Sequence, residues 1–168
     1  MSAGAGRRQH LLLALLVVWL VMTSPWVHML RQVPRNAGWL DYAHIGLGVL
    51  AAVLAVTYFV ACCRRGGWRA YFPWLSGRMG PTLRELRGLF RGELPTAEGG
   101  GVFALVEGLL LLATLLAGLT GVAWLVLAGT SEAVAWRGYH ILSAQVMIAL
   151  LVLHVVTVSL HLLDFIRD

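Results

Sequence analysis

The chain has 168 residues, 59% of them hydrophobic and only 12% charged, and a mean hydropathy of +0.78, values far from those of a soluble domain. Its net charge of +5 and pI near 10.0 come from thirteen arginines and no lysine, placed as membrane topology requires and not as a nucleic-acid-binding face would need. The composition leaves an integral membrane protein: all-α, a four-helix bundle whose near-continuous Leu, Val and Ala runs lack the alternation of a barrel strand.

The first apolar stretch, 10–30, has the roughly 20 residues that a bilayer core of about 30 Å demands. Its opening, "RRQHLLLALLVVWLVM", is similar to a secretory signal, but no small-residue cleavage pattern follows and the apolar run continues to Leu30, so a retained span is expected. His10 stands at its start. His28, beside Pro25 and Trp26 near its end, reads as interfacial.

A short connection, "RQVPRNAG", carries Arg31 and Arg35 and leads to a second span over 39–63, with His44 about one turn inside it. The adjacent Cys62 and Cys63 at its far end read as packing residues. The following segment, 64–101, holds seven arginines. Within it "PTLRELRGLFRGE" opens with a helix-permitting Pro81 and sets Leu83, Leu86, Leu89 and Phe90 roughly opposite Arg84, Arg87 and Arg91. Two readings stand: an amphipathic helix in the membrane interface, or a solvated basic loop.

The third span, 102–128, contains Glu107 near its start and Gly118 and Gly121 further on. Glu107 reads as a carboxylate hydrated by headgroups and paired with loop arginines. After "GTSEAVAWR", which includes Arg137, the fourth span covers 138–165. His140, His154 and His161 recur there at intervals of fourteen and seven residues, which at about 100° per residue keeps all three on one stripe of the helix. Trp26, Trp39, Trp74, Trp124 and Trp136 fall mostly near the expected span ends, as an aromatic belt does. Ten arginines flank the termini and the middle segment against three in the other connections, so both termini and the middle segment are expected in the cytoplasm.

An intramembrane histidine is costly and carries a functional expectation. With alternating span directions, His44 and His140 fall toward the outer face, while His154, about 21 Å beyond His140 along a helix, falls to the inner half with His10. Zinc wants four protein ligands, and each level offers two imidazoles. Two facing imidazoles suit haem iron, whose porphyrin supplies the other four nitrogens. No CxxCH occurs, so the haems are expected to be b-type, bound without covalent linkage. Gly46, Gly48, Ser143, Ala144, Gly118 and Gly121 leave room for a flat macrocycle. Arg137 and Arg35 are charged and near the outer level, which suits haem propionates.

The segments "QHLLLALLVVW", "HIGLGVL" and "YHILSAQVMIALLVLHVVTVSLH" resemble the bacterial cytochrome b561 and nickel-hydrogenase type b-cytochrome family, which includes gamma subunits of formate dehydrogenases. The resemblance covers all four spans, as one di-haem domain over 1–168, and implies an inner haem on His10 and His154 and an outer haem on His44 and His140. His161 is an alternative to His154, or a polar group near a quinone. "YFPWLSGRMGPTLRELRGLFRGELP" with "LAGLTGVAWL" is similar to the hydrogenase and formate dehydrogenase branch, where the cytochrome reduces quinone, but "TAEGGGVFALVEG" does not match that branch's polar quinone-site residues. Another branch, superoxide oxidase, is as compact.

The resemblance implies a multi-pass protein of the bacterial inner membrane that moves electrons between an outer donor and quinone. Its partner there is a dehydrogenase, hydrogenase or molybdoenzyme subunit, or superoxide in a stand-alone superoxide:quinone oxidoreductase. A non-redox metal-binding or structural membrane protein is the third class.

Overall fold

A computed structural model describes residues 3–64, 68–92 and 101–167, with the side chains at 3, 70 and 160–167 outside the description. Helix α1 (Ala3–Thr23) is followed by a 3-10 turn (Ser24–Trp26), then α2 (Trp39–Arg64), α3 (Trp68–Tyr71), α4 (Pro73–Ser76), α5 (Gly80–Leu89), α6 (Val102–Val126) and α7 (Ala133–Arg167). There is no strand among the described residues. Four of these helices are long and apolar enough to cross a membrane, over Gly4–Trp26, Trp39–Arg64, Val102–Val126 and Ala133–Ser159. The all-α class expected from the sequence is therefore the observed one.

The first helix differs from its expected 10–30 span. It begins at Ala3 and ends at Thr23, because Pro25 lacks an N–H and disfavours helical geometry in the residue before it. The last turn is closed by side chains: Thr23 Oγ1 donates to the Trp19 carbonyl at 2.8 Å and Ser24 Oγ to the Val21 carbonyl at 2.9 Å. His10 consequently stands two turns inside the helix instead of at its start.

The chain sorts into two compact units, Met1–Ala61 with Ala113–Val146, and Cys62–Leu112 with Met147–Asp168. In the first, parts of all four long helices pack through small residues. Ala51, Ala52, Ala55, Ala113 and Ala117 are buried, while Leu15, Met22, Val53, Leu116, Leu119 and Leu142 point outward. Hydrocarbon gives large aliphatic side chains no reason to hide, so close backbone approach decides the interior. A Cβ on Gly118 would sit 2.9 Å from the Ala52 Cβ and 3.2 Å from its Cα, so α2 and α6 cross closely here. Gly118→Val is expected to force the two helices apart and cost about 2–3 kcal/mol, read as a fall in the thermal midpoint of the detergent-solubilised protein; an unchanged midpoint would contradict this packing.

One end of this unit is stitched together by hydrogen bonds. Trp124 Nε1 donates to the Leu30 carbonyl at 2.9 Å, Arg137 Nε to the Met29 carbonyl at 2.6 Å, Arg31 Nε to the Thr130 carbonyl at 2.9 Å, and the Gly129 N–H to the Arg31 carbonyl at 2.9 Å. Met29, Trp124 and Ala133 form the apolar cluster beneath. Trp124 is thus a buried core residue and not part of an aromatic belt, whereas Trp26, Trp39 and Trp74 are exposed.

In the second unit Phe72, Pro73, Thr82, Val102 and Val106 are buried. The absence of a side chain at Gly108 lets the Tyr71 carbonyl at the end of α3 lie directly on α6. Glu85 on α5 packs against Gly101 and accepts the Val102 N–H at 2.7 Å, capping the start of α6 with a carboxylate where the helix dipole favours one. Cys62 and Cys63 are half-buried thiols outside any disulfide.

Candidate functional site

Helix α2 begins immediately after "RQVPRNAG", and its first turn is organised by a residue that pattern reading passed over. Asp41 is only 5% exposed, and its two carboxylate oxygens accept the Gly38 N–H at 2.9 Å and the His28 N–H at 3.0 Å. The first is half of a capping box, satisfying the N-cap donor; the second ties the end of the α1–α2 connection to α2. A lone acid in the first turn of an otherwise apolar helix is the signal that would have found it. His28 itself is exposed, and Asp41 holds its backbone and not its ring.

One turn further along α2, His44 faces His140 of α7, with ring centroids 6.3 Å apart and ring planes crossing at 85°. These two are the histidines expected together from the sequence, and both belong to the first unit. His140 Nδ1 lies 2.9 Å from the Ala117 carbonyl of α6. A carbonyl only accepts, so Nδ1 carries the proton and the Nε2 lone pair is left available for a ligand. This is the arrangement by which metal-ligating imidazoles are oriented.

Gly121 makes that bond possible. A Cβ there would stand 3.1 Å from His140 Nδ1 and 3.2 Å from Cε1, so the missing side chain opens the groove through which the ring reaches the carbonyl one turn back. Beside it, Thr120 Oγ1 and Ser143 Oγ are 3.1 Å apart, each also donating to a carbonyl of its own helix. Gly118 and Gly121 therefore serve helix and imidazole packing, and the room expected there for a macrocycle is already filled. At Gly48, one turn beyond His44 on the same helix face, a Cβ would meet nothing within 4 Å. Gly121→Ala is expected to push the His140 ring off the Ala117 carbonyl and shift the absorption of any group it binds, which a visible spectrum of the purified variant checks.

The pair fits a metal that brings its remaining ligands with it. Among the described residues no three or more His, Cys, Asp or Glu side chains converge as a metal group, so the site itself offers two nitrogens. His44 and His140, with ring centroids 6.3 Å apart, would be the two residues to hold a haem, whose porphyrin brings the other four nitrogens. His44 Nδ1 is buried without a hydrogen-bond partner, a costly condition within an apolar helix.

The other expected site residues sit as follows. His10 is exposed on α1, its ring 5.8 Å from that of Tyr58 on α2, and the neighbouring Gln9 Nε2 donates to the Leu54 carbonyl at 3.1 Å and to Thr57 Oγ1 at 2.8 Å. His154 is half-buried on α7, its ring 5.7 Å from that of Phe103 on α6. His161 lies on α7, with its side chain outside the described residues. Arg137 is half-buried with Nε bound to the Met29 carbonyl, and Arg35 is exposed. Glu107 is half-buried on α6. Tyr58, Gln9 and Phe103 carry no local pattern that would have singled them out.

The fold and the site define a class: a helical membrane protein in which imidazoles on two separate long apolar helices lie against each other, with ring centroids 6.3 Å apart. The family described as prokaryotic cytochrome b561 matches residues 5–164, and the chain belongs to it. This is a family of membrane electron-transfer proteins that bind haem b. No curated protein and no solved structure matches the chain.

Proposed function

We propose that this protein is a di-haem b-type cytochrome that passes electrons through the membrane between a donor on one side and the quinone pool. One haem takes His44 and His140. The observation that carries this assignment is the 6.3 Å separation of the two rings together with the Nδ1–H to Ala117 bond that leaves the His140 Nε2 available. The second haem takes His10 and His154, an assignment that follows from the sequence pattern alone.

Haem b, when bound, supplies one-electron chemistry at the iron. The chain's own residues hold and orient: His140 is aimed by Ala117, the α1–α2 connection is pinned over the same end by Arg137 and Trp124, and the apolar wall keeps water away. Arg137 has its terminal guanidinium nitrogens to offer a propionate beyond the Nε bond to Met29, and Arg35 is the second candidate cation. His161 is a polar group near a quinone or a substitute for His154. The four helices act as one domain of the bacterial inner membrane, with both termini cytoplasmic by the arginine distribution.

A reduced b-type α band and two haems per chain by pyridine haemochrome are expected of the purified protein; one haem or none overturns the di-haem reading. The short connection between α1 and α2, bound down on itself and on the α6–α7 turn, leaves little surface for a docking protein. That favours a second reading, a stand-alone superoxide:quinone oxidoreductase. Superoxide-driven quinone reduction by the isolated protein supports it, and electron uptake only from a partner subunit supports the first.

A further inference from the structure

Helix α5 presents three different faces. Thr82, Glu85 and Gly88 turn toward the protein, with Thr82 and Gly88 buried. About a third of a turn away, Leu83, Leu86, Leu89 and Phe90 form an apolar face that is 48%, 37%, 41% and 93% exposed. The remaining third carries Arg84, Arg87 and Arg91, all exposed. Water is a poor solvent for the second face and an anionic surface is a good partner for the third.

Position selects the partner. Glu85 accepts the Val102 N–H, so α5 is fastened to the very start of α6, a helix that is long and apolar enough to span the bilayer. A helix fastened there lies at the level of lipid headgroups. Trp74 and Leu75 of α4 are also exposed in the same unit, and the Arg69 guanidinium lies 5.4 Å over the Trp68 ring. Aromatic rings with cations beside them suit the same interfacial depth.

We infer that α5 is a binding site for anionic phospholipid, with Leu83, Leu86, Leu89 and Phe90 inserted among acyl chains and Arg84, Arg87 and Arg91 gathering headgroup phosphates. The Glu85 carboxylate turns inward to cap α6 and is kept off the lipid face, so the three cations meet the headgroups without a competing anion from their own helix. Guanidinium groups pair with phosphate in a fork, which makes them better suited than lysine to hold a headgroup.

Hydrogen exchange of the α5 amides tests this with the full-length protein in nanodiscs of pure phosphatidylcholine and of phosphatidylcholine with phosphatidylglycerol. Each basic side chain near an anionic surface favours binding about fivefold, so three are expected to slow exchange over 83–90 by as much as about a hundredfold in the anionic discs. The triple variant Arg84→Gln, Arg87→Gln, Arg91→Gln is expected to lose that difference, and the corresponding triple lysine variant to recover part of it, which separates lost charge from failed folding. Equal protection of the unaltered protein in both discs overturns the inference. Inorganic phosphate added to phosphatidylcholine discs should leave exchange unchanged; if it reproduces the protection, the site takes a free anion and the lipid assignment is overturned.

Discussion

On the proposed di-haem assignment, the His140→Ala protein is expected to bind one haem fewer than the unaltered protein, and His44→Ala to behave the same way. Each substitution removes one of the two imidazoles that would hold the haem, and a haem held by the other alone would bind far more weakly. The remaining haem should keep its α band, because its expected ligands, His10 and His154, are different residues. The pyridine haemochrome yield and low-temperature spectra of the two variants make the measurement. Loss of both haems in a variant that is still folded would count against the pairing of His44 with His140. Ala117 offers a contrast that no side-chain substitution gives: its carbonyl is backbone, so the orientation of His140 is disturbed through Gly121 and not by changing residue 117.

The second large effect is expected at Asp41. Asp41→Leu removes the acceptor of both the Gly38 and the His28 N–H groups and leaves two donors unsatisfied beneath a nearly buried side chain. Charge-assisted hydrogen bonds are the stronger kind, and two are lost at once, so the thermal midpoint of the detergent-solubilised protein should fall clearly. Asp41→Asn keeps one carbonyl oxygen and should recover about half of the loss. Because His44 follows one turn later on the same helix, a frayed first turn should also lower the occupancy of the haem proposed at His44. A stable Asp41→Leu protein with full haem content would show that the cap is dispensable.

Much of this architecture is legible in the order of residues. Four apolar runs, too long for strands and too poor in charge for solution, specify four spanning helices, because backbone groups in hydrocarbon must find partners within the same segment. Periodicity puts His140 and His154 on one stripe for the same local reason, and the arginines separate the connections into two sets. Boundaries were less legible. The apolar run of the first span extends to Leu30, yet the helix stops at Thr23, since Pro25 and the hydroxyls of Thr23 and Ser24 outweigh hydropathy.

Tertiary structure alone decided which atoms meet. That His44 faces His140 at 6.3 Å, that a backbone carbonyl on a third helix selects the tautomer of His140, and that Gly118 and Gly121 admit a helix and an imidazole all depend on contacts between residues distant in sequence. Asp41 and Trp124 belong to the same group, their roles set by the connections that fold back onto them. Hydropathy and helical period report what each segment does against solvent or lipid. Register between helices is set by close packing of small residues and by long-range hydrogen bonds, and neither has a period to read.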